Sequence, residues 1–149
     1  MKKVVFLGLG YIGLPTAAVA AHHGYEVVGV DVNPAVVETV NQGKVHIVEP
    51  DLDKIVKEAV QSGHLRAVSK PETADAFFVV VPTPFKQNHR ADVTYVESAT
   101  RAVIPCLKPG DLFVIESTSP VFTTERMADL IFQQRPELKG HIYIAYCPE

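Results

Sequence analysis

Apolar positions in this chain follow two alternating patterns. Continuous runs rich in β-branched and aromatic residues occupy 3–7, 26–31, 76–81, 112–115 and 142–145, with turn-forming Gly, Pro, Asp or Asn close by. Runs of this kind read as short strands buried on both faces. Between them the apolar spacing becomes helical. Residues 11–23 are rich in Ala and Leu, carry Pro15 in the first turn and stop at Gly24, a start and a stop that suit a helix. Asn33-Pro34 opens a helix through about residue 41, with Asn33 as its N-cap. Leu52, Ile55, Val56, Ala59 and Val60 form one stripe that closes at Gly63, and Val93, Val96, Thr100, Val103 and Leu107 form another. Pro109-Gly110-Asp111 is a turn, and a last helix covers 123–135 with Met127, Leu130 and Ile131 on one side.

Strands alternating with helices, where the strands show no polar face, imply parallel pairing through right-handed crossovers. The expected fold is α/β: a Rossmann-type, doubly wound parallel sheet in a single domain over 1–149. The chain ends at Tyr146-Cys147-Pro148-Glu149 directly after a strand, where such folds place site loops, so it reads as truncated.

Composition narrows the function classes. The 149 residues are 47% hydrophobic and 21% charged, with a formal net charge of −3 and a pI near 6.1. No broad basic footprint for nucleic acid or an anionic membrane is available. Cys106 and Cys147 are too few and too far apart for a zinc set or a disulfide framework. Lys2 and Lys3 precede an uncharged stretch, 4–21, that ends in Ala18-Val19-Ala20 and imitates an export signal or a membrane span. Gly8, Gly10, Gly13 and Pro15 interrupt it, against the uniform helix that either would need. A cytoplasmic protein with reduced cysteines is the expectation.

The same glycines carry chemistry. Gly8-x-Gly10-x-x-Gly13 lies between the first strand and the first helix, the context in which this triplet binds a dinucleotide. Gly8 would permit the turn, Gly10 the approach of a pyrophosphate and Gly13 tight helix-to-strand packing, while the helix N-terminus offers amide donors to phosphate. Asp31 ends the second strand, where a carboxylate accepts the adenosine ribose hydroxyls and repels a 2′-phosphate. No Arg or Lys follows in Val32-Asn33-Pro34, so NAD is favoured over NADP. Two further strand ends face the same crevice: Val81-Pro82-Thr83-Pro84 and Glu116-Ser117-Thr118-Ser119-Pro120. Their hydroxyls would lie near a nicotinamide, or serve only as turn residues. His22-His23 reads as solvated or capping, Glu49, Asp51 and Asp53 as acids at a helix start, and Cys106 as structural. Cys147 has no local base to lower its pKa, so it is not read as a nucleophile. No metal site is expected.

Taken together, Gly8-Leu-Gly-Tyr-Ile-Gly-Leu-Pro15, Val81-Pro-Thr-Pro84, Glu116-Ser-Thr-Ser-Pro-Val121 and Cys147-Pro-Glu149 resemble the NAD-dependent nucleotide-sugar 6-dehydrogenases. Those enzymes oxidise a sugar C6 alcohol to the carboxylate with two NAD and one water. The resemblance covers the whole chain. Within the family, His46-Ile47-x-Glu49-Pro50 and Val81-Pro-Thr-Pro-Phe-Lys86 are most similar to the branch acting on UDP-N-acetyl-D-mannosamine. UDP-glucose, UDP-N-acetylglucosamine and GDP-mannose are the alternative substrates. The resemblance implies cofactor contacts from Gly8, Gly10, Tyr11, Ile12, Gly13, Asp31, Val81, Pro82, Thr83, Ser117 and Thr118. It also implies catalytic roles for Thr118 and Glu149, which would position water and assist proton transfer.

The family's nucleophilic Cys and catalytic Lys lie in motifs further downstream that this sequence does not contain. Its dimerising helical segment and its UDP-sugar domain are missing as well. The expectation is therefore a domain that binds NAD without turnover, a homodimer only with the missing segment, and no nucleic-acid or membrane partner. Phe122 stands where the family usually has Gly after Ser-Pro-Val, which puts the contacts of that loop in question. A non-catalytic NAD-sensing module and an S-adenosylmethionine methyltransferase are the competing readings. The first has no need of Thr118 and Glu149, and the second is disfavoured by three glycines at full dinucleotide spacing.

Overall fold

The computed structural model describes residues 2–85 and 91–148. Its strands are β1 Lys3–Leu7, β2 Glu26–Val30, β3 Leu65–Val68, β4 Ala76–Val79, β5 Leu112–Ile115 and β6 Tyr143–Tyr146. Its helices are α1 Gly13–His22, α2 Pro34–Asn41, α3 Leu52–Gln61, α4 Thr94–Val103 and α5 Thr123–Gln134. The strands form one sheet in the order β3-β2-β1-β4-β5-β6, and every pairing is parallel. The order reverses between β1 and β4, where Val5 pairs with both Val28 and Phe77. This is the doubly wound sheet that the alternating pattern predicts.

Parallel strands bury both faces, and the core accordingly divides in two. On one side Phe6, Val4 and Val27 pack with Leu14, Ala17, Ala18 and Ala21 of α1 and Val56 of α3. On the other, Val5, Leu7, Val28 and Phe77 pack with Val96 and Val103 of α4 and Met127 and Ile131 of α5. The fully buried Phe77 and Phe113 anchor the second layer. At 25 cal/mol per Å² or so, such side chains contribute roughly 1.5–3 kcal/mol each.

Three differences from the sequence pattern have physical causes, and a fourth is a matter of bounds alone. The pattern assigns no residues to β3, a short edge strand in which Leu65 and Ala67 are buried and Arg66 is exposed. Its signal is therefore a weak alternation rather than an apolar run. The helix expected from residue 11 begins at Gly13, because Tyr11 and Ile12 complete the turn and Ile12 is the N-cap. The stripe through Leu107 divides at Pro105, which cannot donate a helical hydrogen bond, and Ile104–Cys106 becomes a 3-10 turn. The last strand lies one residue later than 142–145.

The uncharged stretch 4–21 is a strand, a glycine turn and a ten-residue helix. Among the described residues no helix is long and apolar enough to cross a membrane.

Candidate cofactor site

The loops leaving β1, β2, β3, β4 and β5 enclose a cavity of about 720 Å³ at the C-terminal edge of the sheet, within the ~300–1,000 Å³ typical of ligand sites. Its position spans the reversal in strand order, where doubly wound folds bind their ligands.

The glycine turn forms its floor. Gly8 has φ +102° and donates its N–H to the Val30 carbonyl at 2.8 Å. A Cβ there would lie 2.4 Å from the Val80 oxygen. A Cβ on Gly13 would lie 1.9 Å from the Gly8 oxygen, but 3.5 Å from Val80 Cβ. The glycine at 13 is thus required chiefly by its own loop, and less by the helix-to-strand packing expected of it. Gly10 differs from both: it lines the cavity, and a Cβ there meets nothing within 4 Å. At α1 no side chain caps the N-terminus and the first turn holds no acid. By contrast, Asn33 Oδ1 caps α2 by accepting the Ala35 N–H at 3.0 Å. Within the first turn Pro15 has no N–H, and the Leu14 and Thr16 amides donate to the Gly10 and Ile12 carbonyls at 3.1 Å each. The amides left available to an anion are therefore those of Tyr11, Ile12 and Gly13, in the turn that enters the helix.

Asp31 Oδ2 accepts the Leu9 N–H at 3.1 Å and Oδ1 accepts the Asn33 N–H at 2.9 Å. The carboxylate is thereby fixed against the glycine turn. Each oxygen keeps further acceptor capacity, as two ribose hydroxyls require.

At the other end the loops after β4 and β5 are tied together. Thr83 Oγ1 donates to the Thr118 carbonyl at 2.7 Å. Ser117, buried, donates to the Val81 carbonyl at 2.7 Å. Tyr146 braces the second loop, its hydroxyl accepting the Ser119 N–H at 3.1 Å. The three hydroxyls of the sequence reading therefore differ: Thr83 and Ser117 hold loops in place, while Thr118 is exposed to the cavity.

All the residues expected at the cofactor line this one cavity except Gly13, which lies behind the turn. Glu149 lies outside the described residues. Phe122 does not line the cavity. It is the residue before α5, at φ +67° and 68% exposed, a left-handed conformation that suits Gly. Asp51, before α3, is likewise left-handed and makes no side-chain cap, and Asp53 stands in that helix's first turn. His22 ends α1 and His23 is its C-cap. Among the described residues no group of three potential ligands could hold a metal.

The sequence reading missed part of the wall. Tyr95, Ser98, Ala99 and Ala102 of α4 line the cavity at i, i+3, i+4 and i+7, a second stripe beside the core-facing one. Their small or semipolar side chains gave no hydrophobic signal. Ser69 and Lys70 follow β3, the strand whose residues the pattern did not assign. His46 lines the cavity while its neighbour Ile47 is buried.

An open glycine turn, an uncapped helix start, a fixed acid at the end of β2 and a cavity of this volume match the parts of a dinucleotide. These features define a dinucleotide-binding domain of the oxidoreductase type. The chain matches the UDP-glucose/GDP-mannose dehydrogenase family, NAD binding domain, over residues 2–149. It belongs to that family and is its NAD-binding domain.

Among relatives, it is 56% identical to a UDP-N-acetyl-D-mannosamine dehydrogenase of Yersinia pestis, across 99% of this chain and 37% of that protein. It is 52% identical to an NDP-N-acetyl-D-galactosaminuronic acid dehydrogenase of Ralstonia nicotianae, with the same coverage. The structure of a UDP-N-acetyl-mannosamine dehydrogenase from Staphylococcus aureus superposes with a TM-score of 0.93 at 35% identity, covering 99% of this chain and 36% of the other. A GDP-mannose dehydrogenase from Pseudomonas aeruginosa gives 0.88 at 29% identity, covering 100% of this chain and 36% of the other. The chain thus spans little more than a third of the length of these proteins.

Proposed function

We propose that this domain serves an enzyme that oxidises the C6 alcohol of a UDP-sugar to the carboxylate, with UDP-N-acetyl-D-mannosamine as the substrate. The overall change takes the alcohol, one water and two NAD to the carboxylate, two NADH and three protons. The observation that carries the reading is the single cavity that joins the open Gly10 turn, the fixed Asp31 and the exposed Thr118. The 56% identity to an enzyme named for that sugar supports the choice of substrate.

Bound NAD supplies the hydride acceptor. Asp31 would accept from the adenosine ribose, and the amides of the glycine turn entering α1 would receive the pyrophosphate. The β4 and β5 loops, tied by Thr83 and Ser117, hold the nicotinamide end and limit the space open to water. Thr118 presents its hydroxyl to a water beside the reacting carbon, and Glu149 takes the proton from that water. Neither cysteine of the described structure is placed as a nucleophile. Cys106 lies after the C-terminal end of α4, at the sheet edge opposite the cavity, and burial pushes its thiol up. Cys147 is exposed, in a motif unlike that of the family's nucleophile.

The test is titration of the chain with NAD by calorimetry, beside a 340 nm assay with UDP-N-acetyl-D-mannosamine. Saturable NAD binding without NADH production is expected. Asp31→Ala should weaken NAD about 10- to 100-fold, as loss of a charge-assisted pair of hydrogen bonds predicts. Absence of NAD binding would overturn the assignment of the cavity, and NADH production by this chain alone would overturn the assignment of the nucleophile to another part of the enzyme.

A further inference from the structure

An Asp at the end of β2 is the usual device for refusing a 2′-phosphate, and no cation follows Asp31 in sequence. The fold supplies one from the neighbouring strand. Val30 of β2 pairs with Val68 of β3, and the Asp31 N–H donates to the Val68 carbonyl at 3.1 Å. Asp31 and Ser69-Lys70 therefore leave adjacent strand ends, on chains that run about 4.8 Å apart. Lys70 and Asp31 line the same cavity, and Lys70 is the only Lys or Arg among the described residues that do. Lys3 and Lys108 both sit in ion pairs, whereas no described carboxylate lies within ion-pair distance of Lys70. Its flexible four-carbon stem can carry an uncompensated charge across the gap between the strands. Asp31 is less free to act: both of its oxygens already accept a backbone N–H, which fixes the carboxylate and offsets part of its negative field.

We infer that Lys70 is a specificity-determining residue of the cofactor site, a cation beside the adenosine ribose that softens the refusal of a 2′-phosphate set by Asp31. The inference deepens the NAD-binding reading and rests on it. A 2′-phosphate carries nearly two negative charges near neutral pH and would sit between Asp31, which repels it, and Lys70, which attracts it. The NAD ribose carries no charge there, so Lys70 contributes little to NAD itself. Its part is in the ratio between the two cofactors.

Calorimetric titration of the chain with NAD and NADP, and with 5′-AMP and adenosine 2′,5′-bisphosphate as the adenosine-end pair, tests this on the wild type, Lys70→Ala and Lys70→Arg. Lys70→Ala should weaken NADP and the bisphosphate by about tenfold while NAD and 5′-AMP change less than about twofold. Lys70→Arg should stay within about twofold of the wild type for all four. The tenfold difference should collapse as salt is raised towards ~1 M, where the Debye length is about 3 Å. Equal weakening of both cofactors in Lys70→Ala, no change in either, or a wild type that binds NAD but gives no measurable NADP or bisphosphate binding would each overturn the inference. A wild type that fails to bind NAD would overturn the cofactor assignment itself, a result distinguishable from those three.

Discussion

Gly10 and Gly13 belong to one motif, yet the structure predicts opposite outcomes for the same substitution. In Gly13→Ala the new methyl would lie 1.9 Å from the Gly8 oxygen, and a methyl has no rotamer by which to escape. Gly8 cannot withdraw, because its N–H is bound to the Val30 carbonyl at 2.8 Å and the Val80 carbonyl lies behind it. Overpacking of this kind costs typically 1–3 kcal/mol, and with backbone on both sides the upper end, about 3 kcal/mol, is expected. The helix-propensity gain of Ala over Gly, roughly 0.5–1 kcal/mol, does not reverse the sign. For a domain of this size about 1 kcal/mol corresponds to ~2–4 °C, so Tm should fall by roughly 6–12 °C.

Gly10→Ala meets nothing within 4 Å and has no left-handed φ to strain. Its Tm should hold, or rise slightly through the stiffer unfolded chain. The added methyl occupies the space into which a pyrophosphate would come, and the loss of one or two charge-assisted bonds predicts a 10- to 100-fold weaker NAD affinity. Scanning calorimetry and isothermal titration of the two variants separate the roles. A Gly13→Ala protein with wild-type Tm, or a Gly10→Ala protein that loses stability while keeping its affinity, would refute the division of labour within the turn.

Phe122→Gly should raise Tm by about 2–4 °C: relief of the roughly 1–2 kcal/mol that a non-Gly residue costs in the left-handed region, less the ~0.5–1 kcal/mol of extra backbone entropy that Gly loses on folding, leaves about 1 kcal/mol, and the exposed side chain has little burial to lose; an unchanged or lower Tm in a thermal melt would contradict this. Ser117→Ala removes the buried donor to the Val81 carbonyl and should destabilise by about 1–3 kcal/mol, measured as a lower urea midpoint with an unchanged slope. Glu72 accepts from Lys3 at 2.9 Å and also pairs with Arg66. The Lys3 hydrogen bond holds its carboxyl below the ordinary 4.5, so its contribution is present above that value and lost as pH falls through the lowered one. Melts of the wild type and Glu72→Gln should therefore differ by a constant amount from neutral pH down to about pH 5 and converge below 4.5; a gap that persists into strong acid would rule out the ion pair as its source.

The sheet was legible because buried parallel strands and amphipathic helices write different periods into the chain. Residues 3–13 show this best, with an apolar run, a spaced glycine triplet and an alanine-rich helix start in succession. β3 was not legible, because a four-residue edge strand carrying Arg66 has too little apolar sequence to stand out. That omission hid Lys70 as well. The cavity-facing stripe of α4 escaped for a related reason, since Tyr95, Ser98, Ala99 and Ala102 are small or partly polar and share their helix with a stronger core stripe. The bond from Thr83 to the Thr118 carbonyl joins residues 35 apart in sequence. Its geometry exists only once β4 and β5 are paired. Sequence placed those hydroxyls at the site, but it could not say which would face the cavity and which would hold the loops.

The division of the core into two layers bears on how the chain is made. Val5, Leu7, Val28 and Val30 form one face of β1 and β2, and their covering residues begin at Val96 of α4 and run to Leu138. The opposite face is closed by α1 and α3, which lie much nearer in sequence. As the polypeptide leaves the ribosome, its N-terminal strands can be roofed on one side while the other side stays greasy and bare. From Val30 to Val96 is 66 residues, roughly 3–13 s of synthesis at ~5–20 residues per second. For that interval the nascent chain displays the kind of surface that chaperones shield, and the arrival of α4 ends the exposure.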